Sequence, residues 1–151
     1  PVVMIGNIKR QKLGKRTGVD GYFDYKDENV INKIQEEYPE GFDYIIDAVG
    51  KEGQLDQALP LLKKGGTVGI YGLDDADSTF INPRKAQGTF SYYNGNYDEE
   101  ETHHQVLTYM KRGQLDADIW LDFDNIYRLE DINKAFTAVR ERKTVKALIK
   151  L

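Results

Sequence analysis

The chain contains no cysteine among its 151 residues. That excludes disulfides and any thiolate-bound metal within it. No apolar run approaches the roughly 18 residues that a bilayer crossing needs, and no basic start leads into an apolar signal core. Membrane insertion is therefore not expected, and a reducing, cytoplasmic setting suits the composition. Histidine is scarce, and the two present, His103 and His104, are adjacent. On a helix, neighbours point about 100° apart, so they cannot clasp one metal as residues four apart would. No Ser-His-Asp or Cys-His grouping stands out. Excess positive charge is lacking too: the net charge of −4 argues against general affinity for nucleic acid or anionic lipid. Asp74-Asp75-Ala76-Asp77 lacks the glycine and terminal glutamate of a calcium-binding EF-hand and reads as a solvated loop.

What is present suits a globular α/β protein with one well-buried core, since 40% of residues are hydrophobic and 30% charged. The organising stretch runs from Phe42 to Leu73. Phe42, Tyr44, Ile45, Ile46, Ala48 and Val49 form a short apolar run that suits a strand covered on both faces. Gly50 and Gly53 break it. Leu55, Ala58, Leu59 and Leu62 then recur at helical spacing, with Pro60 as a kink. Gly65-Gly66 is expected to cap that helix. Thr67, Val68, Ile70 and Tyr71 follow as a second buried strand, ended by Gly72. Strand, helix and strand make a βαβ unit with parallel strands.

In chain order, Pro1 to Ile5 reads as a strand with no lead-in, so further chain is expected upstream. Gly6 and Asn7 turn into a basic helix over 8–17. Tyr22 to Tyr25 is a strand, and Asp27 caps a helix over 28–37 that buries Val30, Ile31 and Ile34. Asn82-Pro83 opens one helical turn, Gly88 to Tyr93 is a strand, and Asn94-Gly95-Asn96 is a turn. Asp98 and the three glutamates after it begin a helix that ends at Gly113, with its acids where the helix dipole favours them. Asp116 to Asp122 is expected to be extended. A last helix starting near Leu129 should bury Ile132, Ala135, Phe136 and Val139, before a closing strand over 145–151. This alternation indicates a doubly wound, mostly parallel Rossmann-like sheet in residues 1–113, followed by a helix–strand return segment in 114–151.

The order of these pieces resembles the medium-chain (zinc-type) alcohol and polyol dehydrogenases. The matching segments are PVVMIGNIKRQKLGKRTGVD, YFDYKDENVINKI, FDYIIDAVG and LDQALPLLKKGGTVGIYGL. GTFSYY, IYRLEDINKAFTAVRERK and VKALIKL continue the match. The family's first nucleotide-binding strand, with its G-x-G-x-x-G, has no counterpart here. Neither does the upstream catalytic half, which carries the zinc ligands and proton relay of zinc-dependent members. The resemblance implies the downstream, coenzyme-binding part of an NAD- or NADP-dependent oxidoreductase, inactive by itself, with zinc expected only in an upstream half. A zinc-free quinone or enone reductase is a sister reading. The missing strand is central in such sheets, so a gap or a replacement strand is expected.

The resemblance also assigns candidate contacts. Gly6, Asn7 and Arg10 lie in the loop that meets the adenosine ribose. That loop has no acid to repel a 2′-phosphate, so NADP fits at least as well as NAD. Ala48, Val49 and Gly50 follow a strand end beside the adenosine. Gly72 and Leu73 resemble the lining of the nicotinamide pocket, where glycine allows close backbone approach. Ser91 and Tyr92 resemble the carboxamide-holding position, and Lys146 a pyrophosphate contact. Each also has a plain structural reading: turn, packing residue or exposed lysine. Pairing into a dimer through the edge strand at Gly88 to Tyr93 is a further expectation. From another class, a stand-alone α/β module that binds a nucleotide or partner without redox chemistry stays open. Its discriminator is whether a G-x-G-x-x-G segment precedes Pro1.

Overall fold

A computed structural model of the chain describes every residue except Leu73, Ala76, Ser78, Thr79, Asn94, Asn96 and Tyr97. Leu73 as a cofactor contact, the turn at Asn94-Gly95-Asn96 and part of the 74–78 loop therefore lie outside the described residues. The chain divides into two compact units, Pro1–Asn96 and Tyr97–Leu151.

In the first unit, β1 (Val3–Gly6) leads through a 3-10 turn into α1 (Gln11–Arg16) and then β2 (Gly21–Asp24). Next come α2 (Val30–Glu37), β3 (Phe42–Asp47), α3 (Gln54–Ala58), β4 (Leu62–Ile70) and β5 (Ser91–Tyr93). β1 pairs in parallel with β2, and the order β3-β4-β5 is parallel throughout. The two sheets are separate: among the described residues no ladder joins β1 to β3. Both pieces rest on one core, in which Val30 and Ile34 of α2 and Leu61 meet Val3, Phe23, Phe42 and Ile45. A second core joins Leu55, Leu59, Leu62 and Val68. Burying side chains of this size contributes roughly 1.5–3 kcal/mol apiece.

Asp27 lies two residues before the cap position, Asn29, and α2 starts at Val30 rather than Glu28: the Asp27 carboxylate accepts the Asn29 amide (2.9 Å) and its carbonyl the Val30 amide (3.0 Å). The glycine pair departs further from expectation. Pro60 lacks the amide that would continue α3, so residues Leu59–Leu61 tighten into a 3-10 turn and Leu62 is already extended. Gly65 and Gly66 therefore lie inside β4, not at a helix end. There they form an irregularity: Phe42 pairs with Leu62 but Tyr44 with Thr67. Gly65, at φ 80°, supplies the left-handed residue that such a bulge needs.

β3 is covered on one face only. Ile45 packs inward against the Leu59 cluster, while Tyr44 and Ile46 are 72% and 73% exposed. A nearly continuous apolar run implied two covered faces, but the cores here engage Phe42 and Ile45 and leave Tyr44 and Ile46 uncovered. At the end of β4, Ile70 and the following Tyr71 are also exposed rather than buried. β5 is shorter than expected, starting at Ser91 instead of Gly88.

In the second unit, α4 (Glu99–Lys111) is capped by Asp98, whose carboxylate accepts the Glu101 amide (3.0 Å). β6 (Leu121–Arg128), α5 (Ile132–Arg140) and β7 (Lys146–Lys150) follow, with β6 and β7 parallel. The segment expected to be extended from Asp116 is instead a 3-10 turn over Ala117–Ile119, because the Asp116 carboxylate captures the Asp118 amide. α5 buries Ala135 and Ala138, leaving Phe136 68% exposed and Val139 39% exposed. A two-stranded ribbon offers a narrow strip, and small residues let the helix sit close to it.

Candidate cofactor-binding site

Five of the predicted residues sit at or just beyond the carboxyl ends of β1 and β3: Gly6, Asn7, Ala48, Val49 and Gly50. At the end of β1, the Asn7 side-chain oxygen accepts the Lys9 amide (3.0 Å) and caps the turn that carries Arg10. From below, the buried Tyr22 hydroxyl donates to the Asn7 carbonyl (2.8 Å). A Cβ on Gly6 would lie 2.5 Å from that hydroxyl. Gly6 is thus small because a phenol occupies the space beneath it. Burial raises the Tyr22 pKa, with Asp24 adding to the effect and Arg10 opposing it. The phenol accordingly remains a neutral donor over the ordinary pH range.

The turn after β3 is organised by Asp47, whose residue is only 9% exposed. Its Oδ1 accepts the amides of Val49 (2.9 Å) and Gly50 (2.8 Å). Gly50 adopts φ 76°, which a glycine reaches without steric cost. The Asp47 carbonyl accepts the amides of Tyr71 (2.8 Å) and Gly72 (3.0 Å) from the end of β4. Reaching back, the Asp74 amide donates to the Val49 carbonyl (3.2 Å) and the Asp75 amide to the Gly50 carbonyl (2.9 Å). A Cβ on Gly72 would lie 2.1–2.4 Å from the Val49 backbone. The close approach that Gly72 permits is therefore to Val49, within the chain. Ala48 and Val49 are exposed at the top of this joined surface.

Ser91 and Tyr92 are placed differently from the expectation. The resemblance places them at the end of the strand over Gly88 to Tyr93, but they open β5, opposite Thr67 and Val68 of β4. Tyr92 stacks edge-on against Phe90, with ring centroids 5.6 Å apart. Lys146 lies in the second unit, at the exposed start of β7 beside Leu121. The structure thus joins Ala48, Val49, Gly50 and Gly72 into one surface, and builds Gly6, Asn7 and Arg10 as a separate loop. A cavity of about 620 Å³ lined by Tyr25, Asp27, Val30, Gln57, Pro60 and Lys85 includes none of the predicted residues.

Two residues escaped the sequence reading. Asp47 had a signal, an acid closing an apolar strand immediately before a glycine turn. Tyr22 had none, because its partner Asn7 is 15 residues away. The surface offers backbone groups and small residues, and among the described residues it presents no nucleophile beside a base. A zinc ion does not fit the donors here: there is no cysteine, and no group of three His, Asp or Glu among the described residues could hold a metal.

A model of the zinc-binding dehydrogenase family matches residues 1–108. D-arabinitol dehydrogenase 1 of Uromyces fabae is 23% identical over 155 aligned residues, covering 99% of this chain and 44% of that protein. An alcohol dehydrogenase of Cupriavidus necator is 23% identical, covering 89% of this chain and 37% of that protein. The chain thus spans less than half the length of these curated relatives. Among solved structures, benzyl alcohol dehydrogenase from Acinetobacter calcoaceticus superposes with a TM-score of 0.82 at 17% identity, over 99% of this chain and 42% of that one. The 2R,3R-butanediol dehydrogenase from Bacillus subtilis gives 0.78 at 23% identity, over 99% of this chain and 43% of that one. At these identities the superpositions speak to fold, and they agree with the parallel strand order above. The match over residues 1–108 settles the kinship: this chain belongs to the zinc-binding dehydrogenase family.

Proposed function

We propose that this chain is the cofactor-binding part of an NAD(P)-dependent oxidoreductase that transfers a hydride between an alcohol or polyol and nicotinamide. The observation that carries the proposal is the joined surface of Ala48–Gly50 and Gly72 at the carboxyl ends of parallel strands, where open α/β sheets bind ligands. Residues 1–113 form the coenzyme-binding part and 114–151 the returning segment. In this reading Gly6, Asn7 and Arg10 meet the ribose, Ala48, Val49 and Gly50 the adenosine, and Gly72 and Leu73 the nicotinamide. Ser91 and Tyr92 hold the carboxamide, and Lys146 meets the pyrophosphate. The ribose loop has no acid, and Lys9 and Arg10 stand beside it; NADP is then accepted at least as well as NAD. The cofactor supplies the redox chemistry, while this chain binds and orients it. A catalytic region outside this sequence performs the oxidation in a cytoplasmic enzyme that self-associates through the β5 edge.

The test is a titration of isotope-labelled chain with NADPH and with NADH, followed by amide resonances. Shifts at residues 6–10, 48–50, 72–73, 91–92 and 146 are expected. No shift at millimolar dinucleotide would remove the proposal. For the intact enzyme, absence of hydride transfer with any alcohol, polyol or ketone would do the same. The interrupted sheet favours one alternative, a module that binds a nucleotide or partner without redox chemistry. Shifts with adenosine diphosphate matching those with NADPH, and none attributable to the nicotinamide end, would support that alternative.

A further inference from the structure

We infer that Asp47 is the positioning residue that makes one ligand-binding surface out of two separate strand ends, an inference that rests on the binding site proposed above. Three observations lead there. First, Asp47 is a buried carboxylate whose Oδ1 is held by the amides of Val49 and Gly50. Burying a carboxylate is costly unless donors replace the water it loses, so its presence needs a reason beyond packing.

Second, the same residue uses its carbonyl to take the Tyr71 and Gly72 amides. One residue therefore grips both turns, the first through its side chain and the second through its main chain. Third, the two turns touch so closely that no side chain fits between Gly72 and the Val49 backbone. Any drift of the 48–50 turn must therefore displace Gly72. The Asp75 carboxylate adds a remote tie by accepting the Glu52 amide at 3.2 Å. That tie reaches the loop beyond Gly50, while the Asp74 and Asp75 amides, donating to the Val49 and Gly50 carbonyls (3.2 and 2.9 Å), tie the outer side of the turn to the same segment.

A carboxylate that only capped a turn would act locally. Asp47 instead sets the distance between the adenosine-side and nicotinamide-side contacts, because the turn it holds is the surface on which Gly72 rests. A rigid dinucleotide-binding surface avoids paying for loop ordering when the ligand arrives. The Asp47 side chain touches no ligand in this account; it acts through Val49 and Gly50.

The experiment compares wild-type chain with Asp47→Ala and Asp47→Asn by amide hydrogen exchange and by NADPH titration. In Asp47→Ala, exchange at Val49 and Gly50 should rise about tenfold, as expected when an amide loses its buried acceptor. Exchange at Tyr71 and Gly72 should rise with it, although their own acceptor, the main-chain carbonyl, is unchanged. The NADPH dissociation constant should weaken by about tenfold. Asp47→Asn keeps an oxygen acceptor in place and should restore most of both effects, which also guards against a variant that merely unfolds. Unchanged exchange at Gly72 in Asp47→Ala, or unchanged NADPH affinity with faster exchange, would overturn the inference. A wild-type chain that binds no dinucleotide would sink the functional reading separately, while the exchange at Gly72 would still decide whether Asp47 couples the turns.

Discussion

Tyr22 and Gly6 show how much a single pair can decide. The phenol lies beneath the first loop and donates to Asn7, and the space it fills is what a larger residue at position 6 would need. We predict that Gly6→Ala costs about 1–3 kcal/mol, the usual range for overpacking. The same change should cost distinctly less in a Tyr22→Phe background, since the nearest remaining ring atom is 3.1 Å away instead of the hydroxyl at 2.5 Å. A double-mutant cycle by urea denaturation measures this coupling directly. Additive effects would mean that the phenol is not what excludes a side chain there. Gly6 and Gly72 were both legible in the sequence as special positions. Their physical reasons were not, because each answers to a group far along the chain.

At the scale of elements, short helices here depend on side chains that reach across to other segments. α3 has only one turn and a half, and Asp56 ties it to the 3-10 turn Pro83–Lys85. One carboxylate oxygen of Asp56 accepts the Asn82 amide (2.7 Å) and the other pairs with the Lys85 ammonium. The hydrogen bond from Lys85, followed by that from Asn82, holds the Asp56 pKa below the ordinary carboxylate value. A lowered folded-state pKa contributes stability that is complete above the unfolded-state value. It is lost as the pH falls through the folded-state value. We predict that Asp56→Asn lowers stability by about 1 kcal/mol at pH 7, a modest figure because Lys85 is solvent-screened. The gap from wild type should close progressively below about pH 4, as read by urea midpoints across pH. A gap independent of pH would rule out the ion pair as its source. Element boundaries were legible where periodicity and cap agreed, as in α4, whose Asp98 cap stands where expected. They failed at Gly65-Gly66, where Pro60 ended the helix early, and at Asp116, where a side-chain cap competed with extension.

Across the whole molecule, the parallel order was visible in the alternation of segments, and the interruption of the sheet in the missing glycine fingerprint. The exposed face of β3 was not. Tyr44 and Ile46 lie in register with Thr67 and Gly69 of β4, and through them with Ser91 and Tyr93 of the edge strand β5. Tyr93 is also 62% exposed, so apolar groups extend across one side of the sheet to its open edge, a common cause of association. We predict that Ile46→Lys leaves stability within about 0.5 kcal/mol, as for other exposed positions. It should also reduce concentration-dependent association seen by light scattering. A clear loss of thermal stability would show that Ile46 is packed in solution. By itself, the sequence determined which segments are strands and helices, and that they run parallel, because spacing and turn chemistry are local properties. Tertiary structure alone decided which face of β3 is covered, why Gly6 and Gly72 must be small, and that Asp47 joins two strand ends. Those outcomes depend on groups brought together from distant positions, and no local pattern encodes such meetings.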